Sequence, residues 1–286
     1  MSEISGLLKD ANELLAASGA ASPLTDCYVL LAKACEKDIV FIKAHPEYEP
    51  SESEEAVFAE MIRLRSEGMP VAYITNEKEF YSLSFYVDTS VLIPRPDTEC
   101  VVEKALKIGQ SMTDELGRDI RVLDLCCGSG CIGIAFAANC KNCSVTLSDI
   151  NENSVETANI NIAAHSLTGR VRALKSDLFD ELEGTFDIII SNPPYVTGEE
   201  MISLEREVKC EPELALYGGT DGLSFYRGIL DECGKHLEAG GAIVFEIGAY
   251  QSADVEALMK NAGFTDIETE RDLAGLDRCI SGRMIR

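Results

Sequence analysis

Histidine and basic residues are scarce in this chain, and no apolar run is long. Only three histidines occur among 286 residues: His45, His165 and His236. None is spaced with the single Cys-x-x-Cys pair, Cys140 and Cys143, whereas a structural zinc site wants a second pair or nearby histidines. No metal centre is expected, and the pair reads as a helix-to-strand turn. Lysine and arginine number 25 against 49 acidic residues, a formal net charge of −24. A surface of that sign repels phosphate on average, so the broad basic footprint of a nucleic-acid binder is missing. Direct nucleic-acid binding is not expected, and the balance points to a protein or small-molecule substrate. Charge interrupts every apolar run well before the roughly 20 residues that span a membrane. The opening MSEISGLLKD has no basic segment followed by an apolar stretch, so no secretory signal is expected either.

What is present is material for a core. Hydrophobic residues make up 46% of the chain, enough for one large domain and a smaller one. Cysteines fall inside apolar helix and strand patterns (Cys27, Cys35, Cys100, Cys126, Cys127, Cys131), where a free thiol acts as a small hydrophobe. A reducing cytoplasm fits that usage.

The chain changes character twice. Leu7, Leu8, Leu14 and Leu15 lie on a helical period, Tyr28 to Cys35 form an apolar run, Glu54 to Arg65 is amphipathic, and Ser22 before Pro23 marks a helix start. These features predict a helical bundle over residues 1–72. From about residue 71 the composition turns aromatic and β-branched, with turn formers at Ser82 and Asp88. An extended or hairpin connector is expected there, bounded at 73–93. From Asp97 strands and helices alternate. Strands are expected near 120–125, 144–149, 171–175, 186–191 and 241–247, then near 264–270 and 277–284. Helices are expected near 97–114, 131–139, 152–164, 223–237 and 251–261. That alternation implies an α/β domain over 94–286, with a largely parallel sheet covered by helices on both faces. The long stretch from Val196 to Gly222 shows no clear strand and is expected to be a functional loop.

Arg121 to Gly133 reads as strand, glycine turn and helix start, with Gly128, Gly130 and Gly133 in the spacing GxGxxG. Glycines there let backbone approach a ligand closely. Asp149 ends the next strand, about 20 residues on, where a carboxylate accepts hydrogen bonds from a ribose diol. Asp124, just before the turn, is placed to orient the loop or a cofactor's amino group. The loop alone fits either a nicotinamide dinucleotide or S-adenosylmethionine. After the following strand, Asp177 is a candidate acceptor for an adenine amine, and Leu178 a candidate to pack on the ring.

Phe186 to Tyr195 separates those alternatives. A short buried strand runs into Asn192-Pro193-Pro194-Tyr195. The prolines stiffen the backbone and remove two donors, which leaves the Asn192 side-chain oxygen and the Pro193 carbonyl as preset acceptors. Two acceptors and the Tyr195 ring suit a flat NH2 group. Such a nitrogen is a poor nucleophile because its lone pair is delocalised. Acceptors on its hydrogens draw charge onto it as a bond to methyl forms, and they also aim it. A hydride-transfer reading leaves this motif without a task.

With these residues in view, the chain resembles the release factor glutamine methyltransferases, also called HemK-type or PrmC enzymes. The Asn-Pro-Pro-Tyr motif is shared with adenine-amine methyltransferases and marks the wider group. More specific are Pro70 to Ile74 with Glu79-Phe80-Tyr81, and Val91 to Glu99. Further matches are Glu211-Pro212, Ala215-Leu216, Gly218-Gly219, Asp221 to Leu223, Tyr226-Arg227, Glu246 to Gly248 and Asp272 to Arg278. The likeness covers nearly the whole chain. It implies a class I, Rossmann-like methyltransferase sheet behind a small N-terminal helical domain and a β-hairpin connector.

The resemblance further implies methylation of the side-chain amide of the glutamine in the Gly-Gly-Gln motif of class 1 peptide chain release factors. S-adenosylmethionine would be the donor and S-adenosylhomocysteine the product. Cys126, Cys127, Gly128, Ser129, Gly130, Asp149, Asp177, Leu178 and Asn192 would hold the cofactor. Asn192, Pro193, Pro194 and Tyr195 would grip the glutamine, and Arg95 and Pro96 lie where the family closes its cofactor pocket. A cytoplasmic monomer is expected, docking its protein substrate through the helical domain or the 196–222 stretch. Cys126-Cys127 replaces the Gly-Thr pair more usual in the family, and Leu178 stands where an aromatic is often found. The alternative is an amino-methyltransferase acting on adenine or guanine in nucleic acid, which the charge balance opposes.

Overall fold

The computed structural model describes residues 3–284, which divide into two compact units. The first contains helices α1 (Ile4–Ala17), α2 (Pro23–Ala34), α3 (Ile39–Ala44), α4 (Glu52–Ser66) and α5 (Val71–Thr75). It ends at Glu77 and also takes in Glu205–Cys210. Ile4, Leu8, Ala11 and Leu15 follow one another at helical spacing and face Leu30 and Leu31 of α2 and Phe58 and Ile62 of α4. Pro23 opens α2, its fixed φ suiting the first turn. Ser51 and Glu54 form a capping box on α4. Arg65 is almost fully buried and is paired with Asp26 at 2.7 Å and Glu207 at 2.5 Å. Two carboxylates compensate a charge that would otherwise be costly to bury. Val71–Thr75, at the expected boundary of bundle and connector and read as extended from Tyr73 on, is instead a short helix closed by Thr75 Oγ1 donating to Val71 O at 3.0 Å.

The second unit begins with a hairpin, β1 (Lys78–Phe80) and β2 (Leu83–Phe85). Its turn residues Tyr81 and Ser82 both have positive φ, 51° and 60°, as a tight two-residue hairpin requires. Neither is glycine. Carboxylates hold the turn instead: Tyr81 N donates to Glu99 Oε1 and Ser82 N to Glu79 Oε1. After an irregular stretch, a 3-10 turn (Pro96–Thr98) leads into α6 (Glu99–Leu116). Then follow β3 (Ile120–Leu125), α7 (Cys131–Asn139), β4 (Cys143–Asp149), α8 (Glu152–Ala164), β5 (Val171–Lys175) and β6 (Phe186–Ser191). The stretch after β6 carries α9 (Gly198–Ser203), a 3-10 turn (Val208–Cys210) and α10 (Glu213–Leu216). The chain closes with α11 (Ser224–His236), β7 (Leu237–Glu246), α12 (Ser252–Asn261), β8 (Phe264–Arg271) and β9 (Asp277–Met284).

The large sheet has the order β5-β4-β3-β6-β7-β9-β8. Its strands from β5 to β7 are parallel, and β9 runs antiparallel to both β7 and β8. β3 and β6 are buried along almost their whole length, as central strands covered on both faces must be. Alternation sends Ile188 and Ile190 into a core with α6, α7, α8 and the hairpin phenylalanines. Leu123, Ile189 and Phe245 go into the opposite core with α11 and α12. Strand order reverses at β3, since β4 lies on one side and β6 on the other. Open sheets of this kind bind ligands in the crevice at that point. Register sharpens the placement: Leu125 pairs with Ser148 on one side and Ser191 on the other. Cys126, Asp149 and Asn192 therefore leave the sheet level with one another. No helix among the described residues is long and apolar enough to cross a membrane.

Candidate active site

The glycine loop is built by side chains as well as by glycines. Gly128 N donates to Asp149 Oδ2 at 2.9 Å, and Asn151 N donates to Asp149 Oδ1 at 2.9 Å. Asp149 thus pins the loop after β3 to the end of β4, and each of its oxygens keeps lone-pair capacity for a further donor. Burial pushes its carboxyl up from the ordinary value, while the two backbone donors act the other way. Asp124 is fully buried, and its Oδ2 accepts from Gly133 N at 2.8 Å, so it orients the loop from beneath. A Cβ at Gly133 would lie 2.3 Å from Leu147, which explains the third glycine: α7 packs directly on β4.

Above the loop lies a pocket, open at its mouth, of the concave kind in which small molecules bind. Cys126, Cys127, Gly128, Ser129, Asp149, Asp177, Leu178 and Asn192 line it, together with Pro194 and Arg95. Gly130 does not. Its role is the helix start, at φ +77°. Pro193, Tyr195 and Pro96 also stand outside the lining.

The Asn192–Tyr195 motif is held from behind. The Tyr195 hydroxyl donates to Glu246 Oε1 at 3.2 Å, and its ring packs with the core on the α11–α12 face. Val196 N donates to Leu216 O at 2.9 Å, and Gly218 N returns a bond to Val196 O. A Cβ at Gly218 would come within 2.6 Å of Pro194 O and of Tyr195 Cα, so the returning chain runs against the motif's backbone with no room for a side chain. No described residue donates a hydrogen bond to the Asn192 side-chain oxygen or to the Pro193 carbonyl. Glu246 is buried beneath Tyr195. Burial pushes its carboxyl up to about 7, against the opposing effects of Thr98, Arg278 and Tyr195.

Family models match both units of the chain. One described as the PrmC N-terminal domain matches residues 6–75, and one described as the Methyltransferase small domain matches 108–209. A Clostridium botulinum protein named release factor glutamine methyltransferase is 39% identical over 281 residues, covering 97% of this chain and 98% of its own. The chain belongs to the release factor glutamine methyltransferase family. A family member from Agrobacterium fabrum is 36% identical, covering 98% of this chain and 97% of its own. Two solved structures share the fold. A methyltransferase from Pyrococcus furiosus has a TM-score of 0.54 at 20% identity, covering 73% of this chain and 92% of its own. The catalytic domain of hMettl16 has a TM-score of 0.58 at 13% identity, covering 79% and 82%. The chain is thus a methyltransferase with the α/β class I fold of its family.

Against the family pattern, two loop residues stand out. Cys126 has φ +57° and Leu178 φ +45°, a region that costs a residue with a Cβ roughly 1–2 kcal/mol. Both face the pocket, where such strain tends to collect. Burial raises the thiols of Cys126, Cys127 and Cys131, so all three stay protonated and serve as apolar wall. Residue-by-residue reading missed several lining positions: Ser90 to Leu92, Asn151, Ser154, Leu214 and Phe225. The Val91 to Glu99 resemblance was the available signal for the first group. Phe225, at the start of α11, had none.

Proposed function

We propose that this family member methylates the side-chain amide nitrogen of the glutamine in the Gly-Gly-Gln motif of class 1 release factors, with S-adenosylmethionine bound in the pocket over the glycine loop. One observation carries the reading. Asn192 lines the pocket, and neither its side-chain oxygen nor the Pro193 carbonyl is engaged by another described residue. We take these two free acceptors to receive the acceptor nitrogen, Asn192 from the pocket wall and Pro193 O from just behind it.

The lining fits the cofactor. Asp149 retains acceptor capacity suited to a ribose diol, Asp177 suits an adenine amine, and Leu178 offers an apolar face for the ring. Arg95 supplies a cation at the pocket, where Glu211, buried beside it, fixes the guanidinium. The sulfonium supplies an activated methyl, so the demanding bond chemistry belongs to the cofactor. What this chain adds is placement. Asn192 Oδ1 and Pro193 O hold the two amide hydrogens, raise electron density on a nitrogen whose lone pair is otherwise delocalised, and aim it along one line. Tyr195, anchored through its hydroxyl to Glu246 and through its ring to the core, supports the motif from behind. The helical unit or the 196–222 stretch docks the protein substrate. We take the enzyme to act as a cytoplasmic monomer, its free thiols suited to a reducing compartment.

The test is transfer of labelled methyl, offered in parallel to release factor, duplex DNA and RNA. Label should appear on release factor and vanish when its Gly-Gly-Gln glutamine is replaced; label on nucleic acid alone would favour a base-amine acceptor. Asn192→Ala should lower turnover by about 100-fold or more, the ~3 kcal/mol typical of one lost transition-state partner, with cofactor affinity changed only a few-fold. Near-normal turnover in that variant would remove Asn192 from the mechanism.

A further inference from the structure

The acceptor motif contains two consecutive prolines, so it lacks two of the N–H groups that normally tether a segment to its surroundings. Its fixation must come from elsewhere, and a large part comes from one side chain outside the motif. Gln251, the residue before α12, sends Nε2 to Tyr195 O at 3.2 Å and to Gly222 O at 3.4 Å, while its Oε1 accepts from Gly248 N at 3.0 Å. Both amide hydrogens and one oxygen lone pair are therefore used. The orientation is unambiguous, because a flipped carboxamide would set its oxygen against two carbonyls and its nitrogen against an N–H.

Space has been cleared for this group. A Cβ at Gly222 would lie 2.5 Å from Gln251 Nε2 and 2.4 Å from Tyr195 O, and one at Gly248 would lie 2.8 Å from Oε1. Gly222 also needs φ +73°. The carboxamide joins three segments at a single point: the end of the acceptor motif, the end of the 196–222 stretch, and the turn after β7. Glu246, the last residue of β7 before that turn, holds the other polar end of Tyr195. Gln251 does not line the pocket.

We propose that Gln251 is a positioning residue for methyl transfer, holding Tyr195 O and Gly222 O together so that Asn192 Oδ1 and Pro193 O keep their setting toward the acceptor amide. The inference rests on the function proposed above. A displacement of about 1 Å in such a constellation typically costs on the order of 100-fold in rate, while the cofactor's contacts on the glycine loop stay untouched.

Two variants test it in the full-length enzyme with release factor as substrate. In Gln251→Glu the ionised carboxylate cannot donate and faces two carbonyl oxygens. When protonated, as a lower pH favours, it regains one donor. Turnover relative to wild type should fall about tenfold or more at pH 8 and recover as the pH is lowered to 6, with cofactor Kd within about threefold throughout. Gln251→Met, of similar length but without polar atoms, should lose turnover equally at both pH values. A structural role alone would show no such recovery and would lower cofactor affinity in step with turnover. Variants within about twofold of wild type, or a Gln251→Glu deficit independent of pH, would overturn the inference. A wild-type enzyme that labels no release factor would instead overturn the function beneath it.

Discussion

Asp124 is the residue on which the pocket floor stands, and its environment makes a pH prediction. Its Oδ2 accepts from Gly133 N, and its Oδ1 has no partner among the described residues. Burial pushes the carboxyl up to about 7 from 3.8, because the charged form loses its hydration. The sign follows by linkage. Between about pH 4, where the unfolded chain releases this proton, and about pH 7, where the folded protein does, the folded state binds more protons. Its contribution to stability therefore falls as pH rises through that window, by up to ~1.4 kcal/mol per pH unit, and is flat outside it. Glu246 acts in the same direction over nearly the same window. Asp187 acts oppositely: burial would raise its carboxyl, but Arg118 and the Arg121 N–H hold it low. Its stabilisation is present above about pH 4 and is lost only as pH falls further, so the windows separate. Urea unfolding of the cofactor-free protein from pH 5 to 8 should show stability declining with pH, and Asp124→Asn should flatten that decline by about one proton. An unchanged slope would mean that Asp124 does not titrate there.

At the scale of elements, α9 is the one to remove. It is a six-residue helix with no buried residue, and Ile202 on it is 79% exposed, so it does little for the core. Yet it begins within a few residues of the acceptor motif. Replacing Gly198–Ser203 with a glycine–serine segment of equal length should raise KM for release factor about tenfold while leaving cofactor affinity intact. Joint loss of cofactor binding and methylation would count against a docking role, as would an unchanged KM. α9 also shows where sequence reading stopped short. Thr197 and Glu200 form a capping box visible as T-x-x-E, but the helix is too brief for a periodic pattern to show. Val71–Thr75 misled for a different reason: β-branched and aromatic residues favour strands, but here a single turn closed by Thr75 prevails. β3, β5, β6, α7 and α8 were legible to the residue, helped by Gly130 before α7, Asn151 capping α8 and Asn192 after β6. The antiparallel β8–β9 pair was legible in principle, since a five-residue connection is too short for a parallel crossover. In the site, Asp149 and Asn192 could be read because their chemistry is local. Gln251 could not, because its three partners, Tyr195, Gly222 and Gly248, meet only after folding.

For the molecule as a whole, the charge imbalance dominates. Of 25 basic residues, several of the most buried are committed to carboxylates: Arg65 to Asp26 and Glu207, Lys104 to Glu268 and Glu270, and Arg278 to Asp272. The 24 excess negative charges are therefore left to repel one another over the surface, which opposes compactness. Salt acts unequally on these two populations. The Debye length is about 30 Å at 10 mM and about 8 Å at 150 mM, so added salt removes long-range repulsion while buried, short-range pairs such as Arg65–Asp26 lose little. The net effect should be stabilising. Raising NaCl from 10 to 150 mM at pH 8 should lift the midpoint of thermal unfolding, or of each transition if the two units melt separately, by roughly 2–4 °C, the shift that about 1 kcal/mol produces in a chain of this order of size. KCl should act alike, and a neutral osmolyte at matched osmolarity should not reproduce the effect. A midpoint that falls on adding salt would mean that attractive pairs outweigh the repulsion, and the acidic surface would then have to be arranged in networks rather than spread.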